Sequence, residues 1–256
     1  MNGTTVGGLA WVAVLLATVS ARPAQAAEDL LVFAASSTTE AMQEAAEAFA
    51  AKTGGRVHFS FGASSDLSRQ IRAGAPVDLF LAADTRTMDD VQTAGLILEK
   101  SRRNLLTNRL VVVSGPEGGV KVTRAQDLER IQRLSLADPA GVPAGRYAKA
   151  WLETQGSWSK IEPHVLPALN VRAALAAVEV GAAEAAVVYQ TDALVSSRVH
   201  IVFRVPLEQT PAIRYPLARL VHGSSALAGL FYAFLQTPQA KTIFTRRGFI
   251  VLDEAG

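Results

Sequence analysis

The sequence predicts an α/β protein, because short apolar runs alternate with longer segments of helical periodicity. The runs are rich in apolar and β-branched residues, and they occupy residues 30–35, 56–61, 78–83, 109–114, 134–137, 185–189, 200–203 and 215–221. Several runs are apolar throughout, which is typical of parallel strands that are covered on both faces. We therefore expect parallel strands connected by helices.

Several segments carry the apolar spacing of amphipathic helices. In segment 38–55, Met42, Ala45 and Phe49 recur at helical spacing, and Gly54 predicts the end of the helix. The same pattern is found in three more segments, at residues 171–181, 225–236 and 238–248. Helices placed between apolar strands complete the expected βαβ arrangement.

The N-terminus predicts a secretory signal peptide. Residues 6–19 are almost wholly apolar, and Ala24 and Ala26 supply the small residues that a signal peptidase recognises. The apolar run is too short for a membrane-spanning helix, which needs about 20 residues. We expect cleavage after Ala26 and export from the cytoplasm. The alternative interpretation is a buried N-terminal helix.

The composition of the mature chain excludes several classes of function. Removing residues 1–26 leaves 230 of the 256 residues, with 24 of the 25 Lys and Arg and all 23 Asp and Glu, so the net charge is about +1. A nucleic-acid-binding protein would need a basic face, so we expect no nucleic-acid partner. The absence of cysteine excludes disulfides and thiolate chemistry. A chain of this length fits one large or two smaller α/β domains.

Two predicted strand-to-helix turns carry paired serines. Ser36 and Ser37 follow the first run, and Ser37 lies three residues before Glu40, which predicts a capping box. Ser64 and Ser65 follow the second run in the same way. The first amides of helices in such turns attract anions. The serines can therefore cap helices, bind an anion, or do both.

Two further helix openings consist of small or uncharged residues. Pro143 favours the start of a helix, and Ala144 and Gly145 allow a close approach to the backbone. Asn170 is a candidate N-cap, with Val171 as the first helical residue. Each opening is an ordinary helix start, and a shared anion pocket requires that the four openings converge.

Seven motifs cover essentially the whole mature chain. They are VFAASSTTEAM, FGASSDLSRQIRAGAPVDLFLAAD, NRLVVV, DPAGVPAGRYAK, NVRAALAAVE, VVYQTDA and PQAKTIFTRRGF. In their order and spacing the chain resembles the periplasmic molybdate-binding proteins of ABC transporters. The resemblance implies a type II periplasmic binding fold, in which two α/β lobes enclose an oxyanion and two crossing segments form the hinge. We expect a discontinuous first lobe, 27–107 with 218–256, a second lobe, 108–217, and crossings near Asn108 and Tyr215–Pro216.

The resemblance also implies which residues contact the ligand. They are contributed by both lobes, and they are Ser37, Ser64, Ala144, Val171 and Tyr189. The serines would use their hydroxyls and backbone amides, Ala144 and Val171 their amides, and Tyr189 its phenol. The implied ligand is molybdate or tungstate, and the implied partner is the membrane permease of a molybdate ABC transporter. We expect a periplasmic monomer without a cofactor and without direct ligands for a metal cation.

Three positions depart from the family pattern. Leu169 and Asn170 replace an acidic pair that often precedes the valine, and Asp66 places a carboxylate near the second serine turn. Because a carboxylate inside the pocket would repel an anion, we expect Asp66 to cap a helix or to face solvent.

Other classes of function fit the sequence less well. The four histidines lack metal-ligand spacing, and the four tyrosines, which could indicate a ferric-ion binder, have no acidic or histidine cluster beside them. Two alternatives remain: a binding protein for another tetrahedral oxyanion such as sulfate, and a serine-dependent hydrolase. The chain lacks a G-x-S-x-G motif and a Walker-type loop, which argues against an enzyme.

Overall fold

The computed structural model describes residues 1–3, 29–116, 118 and 120–252. The predicted signal peptide beyond residue 3, together with its cleavage point, lies outside the described residues. Within the described ranges, no helix is long and apolar enough to cross a membrane. The first strand of the described residues begins at Asp29.

A six-stranded mixed sheet forms the first lobe. Its strands are β1 Asp29–Ala35, β2 Arg56–Gly62, β3 Leu79–Leu81, β4 Arg103–Thr107, β10 Tyr215–Arg219 and β11 Ile250–Val251. They are arranged in the order β11-β4-β10-β3-β1-β2. Neighbours β3, β1 and β2 are parallel, so their carboxyl ends lie at one edge, with Ala35 opposite Gly62.

A five-stranded mixed sheet forms the second lobe. Its strands are β5 Leu110–Ser114, β6 Leu134–Ala137, β7 Val165–Ala168, β8 Ala185–Tyr189 and β9 His200–Arg204, in the order β7-β6-β8-β5-β9. Strands β7, β6 and β8 are parallel, whereas β5 is antiparallel to β8 and β9. The expectation that the runs form parallel strands is therefore wrong for residues 109–114 and 200–203, and also for residues 215–221, which form β10 antiparallel to β3 and β4. The chain enters β5 from the first sheet, at the end where β8 finishes, and Leu110 pairs with Tyr189.

The chain passes between the two sheets in two segments. Strand β4 leads through Asn108 and Arg109 into β5, and residues 205–214 connect β9 to β10. The predicted lobe boundary placed residues 215–217 in the second lobe, but β10 pairs with β3 and β4 of the first sheet from Tyr215 onward. The second passage therefore ends just before Tyr215.

Helices connect the parallel strands and cover the sheets. The longer ones are α1 Thr39–Thr53, α2 Ser64–Arg72, α3 Thr85–Thr93, α4 Pro143–Thr154, α6 Val171–Glu179, α8 Leu227–Phe234 and α9 Pro238–Arg246, with short helices α5 Trp158–Ile161 and α7 Gln190–Leu194. Helix α1 ends at Gly54, whose φ of 71° is left-handed, as the sequence predicts.

Three strands are absent from the predicted runs: β4, β7 and β11. Strand β7 contains Pro167 and lies at the edge of its sheet, where a missing N–H removes no ladder hydrogen bond. Strand β11 has two residues, and β4 contains only two apolar residues among five. These strands depend on long-range pairing more than on local sequence.

Aromatic side chains fill each lobe and meet at the passage between them. In the first lobe, the Phe49 ring centroid lies 5.1 Å from that of Phe231. In the second lobe, Trp151 stacks on Phe203 at 6.1 Å. Tyr189 and Tyr215, one from each sheet, have ring centroids 5.8 Å apart, so buried aromatic packing continues from one lobe to the other.

Gly145 allows helix α4 to lie directly against the end of β6. A Cβ at this position would lie well inside van der Waals contact of the carbonyl group of Ala137. Backbone atoms cannot move away as a flexible side chain can. The close contact between the start of α4 and the end of β6 is therefore possible only with glycine at position 145.

We expect Gly145→Ala to destabilise the protein by about 1–3 kcal/mol, the usual cost of overpacking a core. The matched control is Gly229→Ala in α8, where the nearest atom would lie 3.7 Å from the new Cβ. Because alanine is a better helix former, the control is expected to be neutral or slightly stabilising. Urea unfolding of both variants measures this, and equal stability of the two would show that α4 has room at Gly145.

Candidate functional site

All five residues that the family resemblance implies as ligand contacts line one cavity between the two lobes. The centre of a water-sized sphere can occupy only about 10 Å³ of it, and its walls are Ala35, Ser36, Ser37, Gly62, Ala63, Ser64, Ala83, Val142, Pro143, Ala144, Val171 and Tyr189. Pockets for drug-sized organic ligands are larger, about 300–1,000 Å³. The cavity therefore fits a small ion.

The carboxyl ends of parallel strands supply the walls from both sheets. In the first lobe, the residues after β1, β2 and β3 meet at one sheet edge, because these three strands are parallel neighbours. In the second lobe, the turns after β6, β7 and β8 meet in the same way. The two edges face each other across the cavity, and three of the turns open directly into α2, α4 and α6. The first amides of a helix have no intrahelical partner, so they are available to an anion.

Ser64 is the first residue of α2, and its hydroxyl is held by the neighbouring turn. The N–H of Ala83 donates to Ser64 Oγ at 2.9 Å, and Ser64 is 1% exposed. The hydroxyl does not cap its own helix, for which Ala63 is the N-cap without a side-chain hydrogen bond. With its oxygen already accepting, Ser64 keeps its hydrogen for another acceptor.

The predicted capping box between Ser37 and Glu40 is wrong. Residues Ser36–Thr38 form a 3₁₀ turn, and neither this turn nor α1 has a side-chain cap. Ser37 Oγ instead lies 3.1 Å from the hydroxyl of Tyr215. The Glu40 carboxylate is engaged by Arg172 from the other lobe, at 3.0 and 2.5 Å. Long-range contacts have therefore replaced the local cap.

The openings of α4 and α6 agree with the sequence. Pro143 is the first residue of α4, and Ala144 follows it with its side chain buried. Asn170 caps α6 by accepting the N–H of Ala173 at 3.0 Å, and Val171 is the first helical residue. Ala144 and Val171 therefore place first-turn amides at the cavity wall.

Tyr189 ends β8 and has a buried hydroxyl without a partner. The residue is 1% exposed, and its hydroxyl oxygen makes no hydrogen bond with any of the described residues. Burial raises the pKa of the Tyr189 phenol well above its usual value of 10.0, so the group stays protonated. Leaving such a hydroxyl unpaired costs about 1–3 kcal/mol. The Tyr189 hydroxyl is therefore a neutral donor that lacks an acceptor.

Among the described residues, no charged side chain lines the cavity, but ion pairs between the lobes flank it. Arg172, next to Val171, pairs with Glu40 of the first lobe and lies 2.6 Å from buried Asp192. Arg146 of α4 pairs with Asp84 of the first lobe. Burial raises the pKa of Asp192 to about 6, against the opposing effect of the Arg172 guanidinium. The ion pairs connect the two lobes on two sides of the cavity.

Asp66 and Leu169, which depart from the family pattern, lie outside the cavity wall. The Asp66 side chain is 45% exposed and pairs with Arg69 at 2.5 Å. Leu169 is 80% exposed, and Asn170 has become the helix cap. Asp66 faces solvent, so its carboxylate adds no repulsion inside the cavity.

Within the part of the chain that the structure describes, no group of three or more His, Cys, Asp or Glu side chains could hold a metal ion. The buried tyrosines also stay protonated, since burial raises the pKa of Tyr147 to about 12 and that of Tyr215 above its usual range. A ferric site would need tyrosinates and acidic ligands, whereas these phenols can offer neutral hydrogen bonds.

Sequence reasoning missed several residues around the cavity. Ala83 lines the wall and holds Ser64, and Ser36, which the sequence indicated only as one of the paired serines, lines the wall as well. Ala83 could have been found as a small residue at the end of the third run. Asn108 and Tyr215 lie behind Ser37 and contact each other, although they are 107 positions apart in the sequence. No local pattern signals a contact of that kind.

Comparisons with known proteins agree with this architecture. The model of the family described as bacterial extracellular solute-binding proteins matches residues 30–250. The molybdate-binding protein ModA of Escherichia coli (strain K12) is 41% identical over 229 residues, covering 87% of this chain and 89% of the relative. ModA of Haemophilus influenzae is 33% identical over 230 residues, covering 88% of this chain and 91% of the relative.

A solved structure shares the fold. The periplasmic molybdate-binding protein of Azotobacter vinelandii matches with a TM-score of 0.79 and 22% identity, over 88% of this chain and 100% of that one. Together with the two sheets, this match confirms the two-lobed α/β fold predicted from the sequence. The family model covers most of the described chain, and the curated relatives match over most of their length. The chain therefore belongs to the family of bacterial extracellular solute-binding proteins.

Proposed function

We propose that this protein captures molybdate or tungstate between its two lobes in the periplasm and delivers it to the membrane permease of an ABC transporter. The ligand would contact Ser37 and Ser64 of the first lobe, and Ala144, Val171 and Tyr189 of the second. No cofactor takes part, and the protein acts as a monomer. The names of the similar proteins support this ligand class, as do the size and neutrality of the cavity.

The observation that carries the proposal is the unpaired hydroxyl of Tyr189 at the wall of a neutral cavity. A buried donor without an acceptor is unfavourable, and an anion oxygen would satisfy it. The cavity also presents helix-start amides and the Ser64 hydroxyl hydrogen. Hydrogen bonds to a charged group contribute about 1.5–3 kcal/mol each, so several neutral donors together give useful affinity.

Neutral donors also favour selection by size. A pocket of fixed dipoles that fits the long metal–oxygen bonds of molybdate leaves the smaller sulfate with stretched contacts. Sulfate remains the second candidate ligand, because it is also a tetrahedral dianion that only accepts hydrogen bonds. Its affinity relative to molybdate is therefore the measure of this selectivity.

The ion pairs between the lobes support a closed state for the bound form. Arg172 and Arg146 extend from the helices that carry Val171 and Ala144, and both reach carboxylates of the first lobe. A ligand that contacts both lobes shifts the population toward this arrangement. We propose that the transporter recognises the closed form.

A hydrolase would need a base beside a serine nucleophile. The described residues contribute no histidine, acid or lysine to the cavity wall, and the oxygen of Ser64 already accepts a backbone N–H. Nucleophilic serines are activated by a neighbouring base. The arrangement therefore supports binding without turnover.

The proposal predicts that calorimetric titration shows a single site that binds either molybdate or tungstate. Each should bind at least about tenfold more tightly than sulfate, a difference in binding free energy of about 1.4 kcal/mol. An ester-hydrolysis assay on the same protein should give no turnover. Ester turnover without oxyanion binding would show that the protein is a hydrolase and not a binding protein. Tighter binding of sulfate than of molybdate would make sulfate the favoured ligand.

We expect Tyr189→Phe to weaken molybdate binding by about ten- to hundredfold, since it removes one hydrogen bond to a dianion and keeps the ring. The free protein should be as stable as the wild type or more so, because the lost hydroxyl has no partner there. The matched control is Tyr232→Phe, whose hydroxyl contacts Arg103 outside the cavity. A Tyr189→Phe variant with unchanged affinity and a lower melting temperature would make Tyr189 a core residue only.

A further inference from the structure

A buried chain of hydrogen bonds connects the two passages between the lobes to the cavity. Asn108 lies in the first passage, Tyr215 begins β10 after the second, and Ser37 lines the cavity. Asn108 Nδ2 is 3.2 Å from the Tyr215 hydroxyl oxygen, which is 3.1 Å from Ser37 Oγ. These residues are 2%, 0% and 3% exposed, so their polar groups are shielded from bulk solvent.

One backbone amide fixes the orientation of the Asn108 side chain. The N–H of Arg109 donates to Asn108 Oδ1 at 2.9 Å, and a backbone N–H can only donate. The amide oxygen must therefore face Arg109, and Nδ2 must face the other way. Its two hydrogens are then used by Thr191 Oγ1 at 2.9 Å and by the Tyr215 hydroxyl oxygen.

The orientation of Asn108 determines the direction of the remaining hydrogen bonds. The Tyr215 hydroxyl accepts from Asn108, so its single hydrogen must find an acceptor. Ser37 Oγ is that acceptor, which leaves the serine's own hydrogen free to point into the cavity. The reverse direction would bury the Tyr215 hydrogen without an acceptor, which is unfavourable.

We infer that Asn108 and Tyr215 are positioning residues that hold the Ser37 hydroxyl as a hydrogen donor to the bound oxyanion. This inference rests on the proposed function and deepens it. Ser64 is constrained in the same sense, because its oxygen accepts from Ala83. With their hydrogens directed at the ligand, both serines favour a ligand whose oxygens all accept hydrogen bonds, as the oxygens of a fully deprotonated dianion do. The segments that join the lobes thus help to set ligand selectivity.

A double-mutant cycle tests whether Tyr215 acts through Ser37. Calorimetry with molybdate compares the wild type, Ser37→Ala, Tyr215→Phe and the double variant. Ser37→Ala should weaken binding by about tenfold or more, and Tyr215→Phe by a smaller factor, since phenylalanine keeps the ring packing. In the Ser37→Ala background, Tyr215→Phe should have no further effect. Equal weakening by Tyr215→Phe in both backgrounds would overturn the inference, because independent effects add.

A second measurement separates positioning from structural damage. The experiment measures how well sulfate and hydrogen phosphate displace bound molybdate, at a pH where both anions carry two negative charges. Hydrogen phosphate carries a proton on one oxygen, and sulfate does not. Sulfate should displace molybdate at a lower concentration from the wild type. Tyr215→Phe should narrow this difference, because Ser37 Oγ without its donor can accept a ligand proton. Structural damage would weaken both anions equally and would contradict the inference, and Tyr232→Phe serves as the control.

The wild type alone keeps the inference testable if Tyr215→Phe does not fold. Equal displacement of molybdate by sulfate and hydrogen phosphate would show that the serine hydroxyls are not fixed as donors. A wild type that binds no molybdate would overturn the proposed function and this inference with it. Tight molybdate binding with an additive mutant cycle would overturn only the positioning role.

Discussion

The arrangement of the site depends on one constraint: a buried dianion must receive hydrogen bonds from all sides without a counter-charge in the cavity. Removing an ion from water costs on the order of tens of kcal/mol in an idealised apolar medium, so unpaired anion oxygens are not tolerated. Helix-start amides and hydroxyls meet this demand with fixed partial charges. Parallel strands on each side of the cleft, ending at facing edges, bring enough of these groups to one point. The small residues on the cavity wall allow the backbone to come close.

The charged groups of the cleft lie outside the cavity wall and join the lobes. Arg172 forms ion pairs with both Glu40 and Asp192. Burial by itself lowers the pKa of Arg172, but the two carboxylates together raise it by more, so the net shift of this pKa is upward. Such pairs can stabilise the closed arrangement without neutralising the ligand. Arg172 directly follows Val171 in the first turn of α6. The ion pairs of Arg172 and the proposed ligand-binding amide of Val171 therefore move together.

Local patterns in the sequence predicted the helices and most of the strands, whereas long-range contacts determined the partners of the side chains at the site. The βαβ alternation, the cap at Asn170 and the helix start at Pro143 follow from the preferences of neighbouring residues. The Ser37–Glu40 capping box failed because Tyr215 and Arg172, both distant in sequence, compete for these side chains. The convergence of the four openings followed only from the resemblance to a known family, since spacing along the chain does not specify which sheet edges face each other. The resemblance placed Asn108 and Tyr215 near the two crossings, but no local pattern predicted the hydrogen bond between their side chains.

The central claim is that neutral donors from both lobes surround one oxyanion. Crystals grown with molybdate, measured at the molybdenum absorption edge, would locate the metal directly by its anomalous scattering. The account predicts a single strong peak between the lobes, with ligand oxygens within hydrogen-bond distance of the hydroxyls of Ser37, Ser64 and Tyr189 and the amides of Ala144 and Val171. A peak beside arginine side chains at the surface, or no peak in the cavity at saturating molybdate, would contradict it.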